Sequence, residues 1–235
     1  MTGKIVVVAN QKGGCGKTTT AMQLAGAWGR AGHKVLVADA DPQGTATRWA
    51  AAAPDDTPFP AAVAGVAAAG GKVHRELAKF LPDYDLVVVD CPPAVDSMVP
   101  QSALMVADVV LMPVIPSPPD LWAAVGIRDL VQRCAEVNET MQARLVVNMT
   151  QPGTTLARES MDALQEFGIP LASSTLGLRQ SFRQSAVFGT SVHGMKPQDT
   201  KAVEEVDALA EEVLRLLGEP SNRANRTNNT KRGRA

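Results

Sequence analysis

Two lysines and three glycines stand within seven residues, Lys12-Gly13-Gly14-Cys15-Gly16-Lys17-Thr18. The run follows a short apolar, β-branched segment (4–9) and leads into a helical pattern (17–31). Between a strand and a helix, such glycines let backbone N–H groups turn inward around phosphate oxygens, and the helix N-terminus adds a favourable dipole. Lys17 is spaced to reach the β- and γ-phosphates of a nucleotide, and the Thr18 hydroxyl to ligate Mg²⁺. The common phosphate loop, G-x-x-x-x-G-K-[ST], asks for glycine at position 11. Here Gln11 fills that place and a second lysine, Lys12, follows it. Since Lys17 already supplies the cation, Lys12 needs a separate explanation.

Acids mark two further strand ends. Asp39 and Asp41 lie in "DADPQG" (39–44), and Asp90 closes "DLVVVD" (85–90). Open α/β sheets bind ligands beyond the carboxyl ends of their strands. Asp90 is the candidate for holding Mg²⁺, through a water. Asp41 opens a segment that would lie next to the γ-phosphate, and Asp39 is the alternative for either role. One aspartate at a strand end is as readily a turn former. Three strand ends converging on one loop point to a nucleotide.

These residues need a scaffold, and the periodicity supplies one. Apolar runs at 4–9, 34–40, 85–90, 107–115 and 143–150 read as strands, with weaker ones at 61–66 and 170–176. Helical patterns fall at 17–31, 45–52, 71–81, 120–138, 155–167 and 201–217. Strands that are apolar on both faces and alternate with helices imply a doubly wound, mostly parallel sheet covered on both sides. Val203, Val206, Leu209, Val213, Leu214 and Leu217 form one stripe of the last helix, which is expected to dock on the sheet. The expected organisation is one α/β domain over 1–218 and a basic, disordered tail over 219–235.

Composition narrows the function classes. With 235 residues, 45% apolar and 20% charged, the chain can bury a sizeable core. Cys15, Cys91 and Cys134 are widely spaced, which argues against a zinc site or a disulfide framework and fits a reducing cytoplasm. The net charge of −1 divides into +4 for 219–235 and −5 for the rest. That tail is nearly devoid of apolar side chains and cannot form a core.

Taken together, these motifs resemble the ParA/MinD family of deviant-Walker ATPases across nearly the whole folded chain. "KGGCGKTTT" is similar to the family's signature loop, "VLVADADPQGTAT" to its first switch segment and "YDLVVVDCPPA" to its Walker B and second switch segment. "VVNMT" resembles the strand end whose asparagine reads the adenine, here Asn148. The resemblance implies an ATP site formed by Lys12, Gly13, Gly14, Cys15, Gly16, Lys17, Thr18, Thr19 and Asn148. Mg²⁺ would be held by Thr18, Asp41 and Asp90. It also explains the extra lysine. In this family Lys12 would cross a dimer interface to the phosphates of the other subunit, making ATP part of a sandwich homodimer. Asp41 would orient the attacking water, with Asp39 as the alternative.

"GLRQSFRQSAVFGTSV" (177–192) is similar to the arginine segment of the partition ATPases, with Ser185 where the family usually has an acid. By that resemblance Arg179 and Arg183 would bind double-stranded DNA without sequence preference. A MinD-type membrane ATPase is the alternative, but 218–235 contains no Leu, Ile, Val, Phe or Trp to insert into a bilayer. An iron–sulfur ATPase is a further one, and no pair of the cysteines suits a shared cluster. The resemblance therefore implies a small ParA-type ATPase, cytoplasmic and nucleoid-associated, with slow intrinsic hydrolysis. A ParB-like or adaptor protein would accelerate it. The cargo stays open between a plasmid, a chromosome and a protein assembly such as a carboxysome.

Overall fold

A computed structural model describes residues 3–93, 97–151 and 162–218. Six strands form the sheet: β1 (Lys4–Val8), β2 (Val35–Asp39), β3 (Ala62–Gly65), β4 (Leu86–Asp90), β5 (Val109–Val114) and β6 (Gln142–Val147). Their order is β3-β2-β4-β1-β5-β6, and every pairing is parallel. β1 sits centrally, with β4 on one side and β5 on the other, so the loop that leaves it opens at the switch point of the sheet.

The apolar runs are continuous because both faces are covered. Along β1, Ile5 and Val7 enter one core layer while Val6 and Val8 enter the other. The first layer lies under α3 (Val73–Phe80), α4 (Met98–Leu104) and α5 (Pro118–Ala135). The second lies under α1 (Lys17–Arg30), α2 (Thr45–Ala51) and the C-terminal helix, α7 (Thr200–Leu216). The Trp28 indole donates to the Ala210 carbonyl at 3.3 Å, which fastens α1 to that last helix. A further helix, α6 (Gln180–Val187), follows the arginine at 179.

Three boundaries differ from the expectation. Between β3 and α3, the expected helix at 71–81 begins with a 3₁₀ segment, Ala67–Lys72. α5 starts at Pro118, two residues early, because Ser117 caps it and proline is tolerated in a first helical turn. The third concerns 170–176, which forms isolated bridges at Leu171 and Gly177 instead of a strand. Glu212 sits at the interruption. Its carboxylate accepts the Ser173 and Ser174 backbone N–H groups at 2.8 and 3.0 Å, so the Ser174 N–H turns away from β6 and Leu176 donates to the Val147 carbonyl in its place. Of the expected helix at 155–167, residues 162–165 are helical and 155–161 lie outside the described residues. The tail at 219–235 lies outside them too.

Candidate nucleotide site

The glycine loop runs from the end of β1 to the start of α1, and its curvature needs left-handed backbone. Gly14 has φ 76° and Gly16 φ 93°. Gly16 is also pressed from behind, since the Asn148 side chain leaves no room for a Cβ there. No side chain caps the N-terminus of α1, which is the arrangement a phosphate ligand requires. Two asparagines brace the loop. Asn10 donates to the Pro113 carbonyl at 2.7 Å and accepts the Lys12 N–H at 3.1 Å. Asn148 donates to the Cys15 carbonyl at 2.8 Å and accepts the Met149 N–H at 2.8 Å. An adenine contact by Asn148 would have to share an amide already engaged with the loop, which the sequence reading did not anticipate.

The two lysines take opposite roles. Lys17 is buried, and its ammonium donates to the Lys12 carbonyl at 2.9 Å, curled into the cradle. Lys12 projects to the rim, where its ammonium lies 2.6 Å from Asp120 in the first turn of α5. Asp120 is almost fully buried and also accepts a hydrogen bond from the Ser117 hydroxyl. The sequence reading missed Asp120. The S-x-x-D spacing of a capping box, Ser117 to Asp120, was a visible sign of it. Cys15 is buried, and burial pushes its thiol pKa up, so position 15 offers a nucleotide its backbone rather than its sulfur.

The three aspartates separate by environment. Asp39 and Asp90 face each other in register on neighbouring strands, both fully buried. Asp39 is committed: one oxygen accepts the Thr47 N–H and hydroxyl, each at 2.8 Å, and the other the Asp41 N–H at 3.3 Å. It therefore anchors the start of α2. Asp41 is half-buried, with one oxygen closing a turn to the Gln43 N–H at 2.9 Å. Neither oxygen of Asp90 has a partner of hydrogen-bonding geometry among the described residues. Burial raises its pKa to about 7, opposed chiefly by the nearby Thr18 hydroxyl and reinforced by Asp39.

An orphaned buried carboxylate beside the loop threonine fits a Mg²⁺ ion. Among the described residues no three His, Cys, Asp or Glu side chains cluster to cage a metal. Mg²⁺ needs no such cage, because it takes one or two protein ligands and completes its shell with waters and substrate phosphates.

The chain matches the CobQ/CobB/MinD/ParA nucleotide binding domain over residues 6–192. It belongs to that family. Members of the family are ATPases that work on ATP with Mg²⁺. Among its curated relatives, the chain is 31% identical to maintenance of carboxysome distribution protein A of Halothiobacillus neapolitanus, covering 89% of this chain and 95% of that one. It is 28% identical to the chromosome-partitioning ATPase Soj of Thermus thermophilus, over 91% and 96%. The structure of the Cyanothece McdA(D38A)–ATP complex superposes with a TM-score of 0.74 at 18% identity, covering 93% and 97%, and shows the shared fold. The family's P-loop fold is thus the fold read from the strand and helix periodicity.

Arg179 and Arg183 differ in setting. Arg179 precedes α6 with extended backbone, φ −119° and ψ 140°, so it does not share a helix face with Arg183. Its guanidinium is clamped by Glu205 of α7, Nε at 2.8 Å, and that carboxylate raises its pKa. Arg183 is exposed, and among the described residues no acid pairs with it. The two arginines nevertheless line one cavity of about 390 Å³, with Leu178, Gln180, Gln184 and Val187.

Proposed function

We propose that this chain is a ParA-type positioning ATPase that forms an ATP-sandwich homodimer. As that dimer it binds double-stranded DNA without sequence preference and positions a cargo, releasing it when a partner stimulates hydrolysis. The observation that carries the reading is the division of labour between the lysines, with Lys17 inside the cradle and Lys12 outside it on the rim. A lysine at the rim can neutralise a triphosphate bound to another copy, so nucleotide and interface form together. One relative distributes carboxysomes and another partitions chromosomes, and positioning is the activity common to both. Its place in the cell would be the nucleoid surface, with a ParB-like or adaptor protein as the stimulating partner.

The residues divide the chemistry. When bound, Mg²⁺ would neutralise charge on the β- and γ-phosphates. Thr18 would ligate that ion and Asp90 would hold it through a water. Lys17 exchanges its bond to the Lys12 carbonyl for the phosphate oxygens, and the free N–H groups of the glycine loop and of α1 orient them. Asp41 keeps one carboxylate oxygen outside its own turn, which suits it to align a water. Asp39 has both oxygens engaged.

Sedimentation with ADP and with a slowly hydrolysed ATP analogue tests the proposal. Lys17→Ala is expected to lose nucleotide binding. Lys12→Ala is expected to keep it, by titration calorimetry, and to remain monomeric. A Lys12→Ala protein that dimerises and hydrolyses as the parent does refutes the cross-subunit role.

A further inference from the structure

The chain has three tryptophans with very different surroundings. Trp28 and Trp49 are buried at 1% and 5% exposure, whereas Trp122 is 73% exposed. Trp122 lies in α5 with Val125 beside it, also exposed and three residues on, where helical neighbours meet. Helical residues that face a core are buried because the core needs them, and Leu121, Ala124 and Ile127 fill that role here. Trp122 serves no such need, and an aromatic ring left in water is the residue type that most often anchors an interface.

Its location specifies the partner. The Gln11 side chain, at the foot of the glycine loop, packs directly on α5, where a Cβ at Gly126 would meet its amide oxygen. Gly126 lies one helical turn beyond Trp122, so both are on the face that meets the loop. Two residues before Trp122, Asp120 holds Lys12. Gln11 directly precedes Lys12, so through Gly126 the apolar patch borders the rim from which Lys12 projects. We propose that Trp122 and Val125 form the apolar anchor with which one copy of this chain docks on a second copy. The inference rests on the nucleotide-dimer reading above. It adds that adhesion does not come from phosphate and lysine alone. In an interface with two-fold symmetry the same patch is used twice, so each dimer would bury two tryptophans.

The test uses the full chain and the fluorescence of Trp122. In Mg-ADP, acrylamide should quench a large component of tryptophan emission, since the other two rings are shielded. With a slowly hydrolysed ATP analogue and Mg²⁺, the protein should sediment as a dimer and that component should become severalfold less accessible. Trp122→Ala should weaken dimerisation about tenfold or more, with nucleotide affinity unchanged, and Trp122→Phe should restore most of it. Val137→Ser is the control, as an exposed apolar residue just beyond the far end of α5, which runs roughly 20 Å from Trp122 to Ala135. It should dimerise as the parent does. If the analogue yields a dimer in which Trp122 is as quenchable as before, and Trp122→Ala dimerises normally, the patch faces some other partner and the inference fails while the dimer reading stands. If the analogue yields no dimer at all, both fail.

Discussion

The Lys12 ammonium lies 2.6 Å from the Asp120 carboxylate, so the lysine proposed to leave its own subunit is held within it. Asp120 is the better buried partner, at 8% exposure against 35% for Lys12. Dimerisation would have to exchange this ion pair for one with phosphate. Asp120→Asn keeps an acceptor for Ser117 and removes the charge that retains Lys12. A pair this open to solvent on the lysine side is worth about 0.5–1 kcal/mol. The ATP-analogue concentration for half-dimerisation should accordingly fall about two- to fivefold. Sedimentation across an analogue titration would show it, and an unchanged or higher midpoint would contradict it.

Asp39 and Asp41 should separate cleanly by what they break. Asp39→Ala strips the acceptor from the Thr47 N–H and hydroxyl and should cost about 1–3 kcal/mol, seen as a lower unfolding midpoint without nucleotide. Asp41→Ala loses only an exposed turn bond and should unfold like the parent. Its phosphate release should nevertheless slow by roughly a hundredfold, the scale for removing a group that manages the attacking water, and its ATP dimer should persist. Normal turnover by Asp41→Ala would return the water-orienting role to Asp39.

Asp90 makes a prediction about pH. Its folded pKa of about 7 stands above the ordinary value of 3.8, chiefly because it is buried. Between those values the folded chain holds a proton that the unfolded chain has lost, so stability falls as pH rises from about 4 to about 7 and the full penalty is present above 7. Chemical denaturation of the nucleotide-free protein should show this decline. Asp90→Asn should flatten it and be more stable than the parent at pH 8. Equal slopes for parent and variant would mean that other groups set the pH dependence.

DNA binding should depend on the two arginines unequally. Arg183 is exposed and pairs with no acid among the described residues, whereas Arg179 spends its charge on Glu205. Arg183→Ala should remove two phosphate contacts per dimer and lower the slope of log affinity against log salt by about 1.8. Arg179→Ala should affect stability more than the salt slope, because among the described residues it leaves Glu205 with only the Gly177 N–H. Gel shifts with ATP analogue over a salt series, including a truncation after Gly218, would test this. If only the truncation matters, DNA is bound by the basic tail.

Some features of the sequence were legible because they are local. The loop from Lys12 to Thr18 needs a strand before it and a helix after it, and both are written in the neighbouring periodicity. Asp39 and Asp90 could be placed at strand ends for the same reason. Their division of labour could not be, since it depends on whether a carboxylate is bonded, as Asp39 is by Thr47, or left without a hydrogen-bond partner among the described residues, as Asp90 is. The strand expected at 170–176 is broken where Glu212, 38 residues beyond Ser174, holds the Ser174 N–H away from β6.

By itself the sequence determined the parallel sheet, the phosphate loop at its first strand end and the presence of two lysines in that loop. Each of these follows from residue type and spacing within about 15 residues, the range over which backbone geometry ties side chains together. Only the tertiary structure decided that Lys12 meets Asp120, that Asn148 braces the loop through the Cys15 carbonyl, and that Glu205 neutralises Arg179. It likewise left Trp122 uncovered beside the loop. Those pairings join residues 26 to 133 positions apart. They are set by which faces of separate helices and strands the packing turns toward one another, and no short-range pattern encodes that choice.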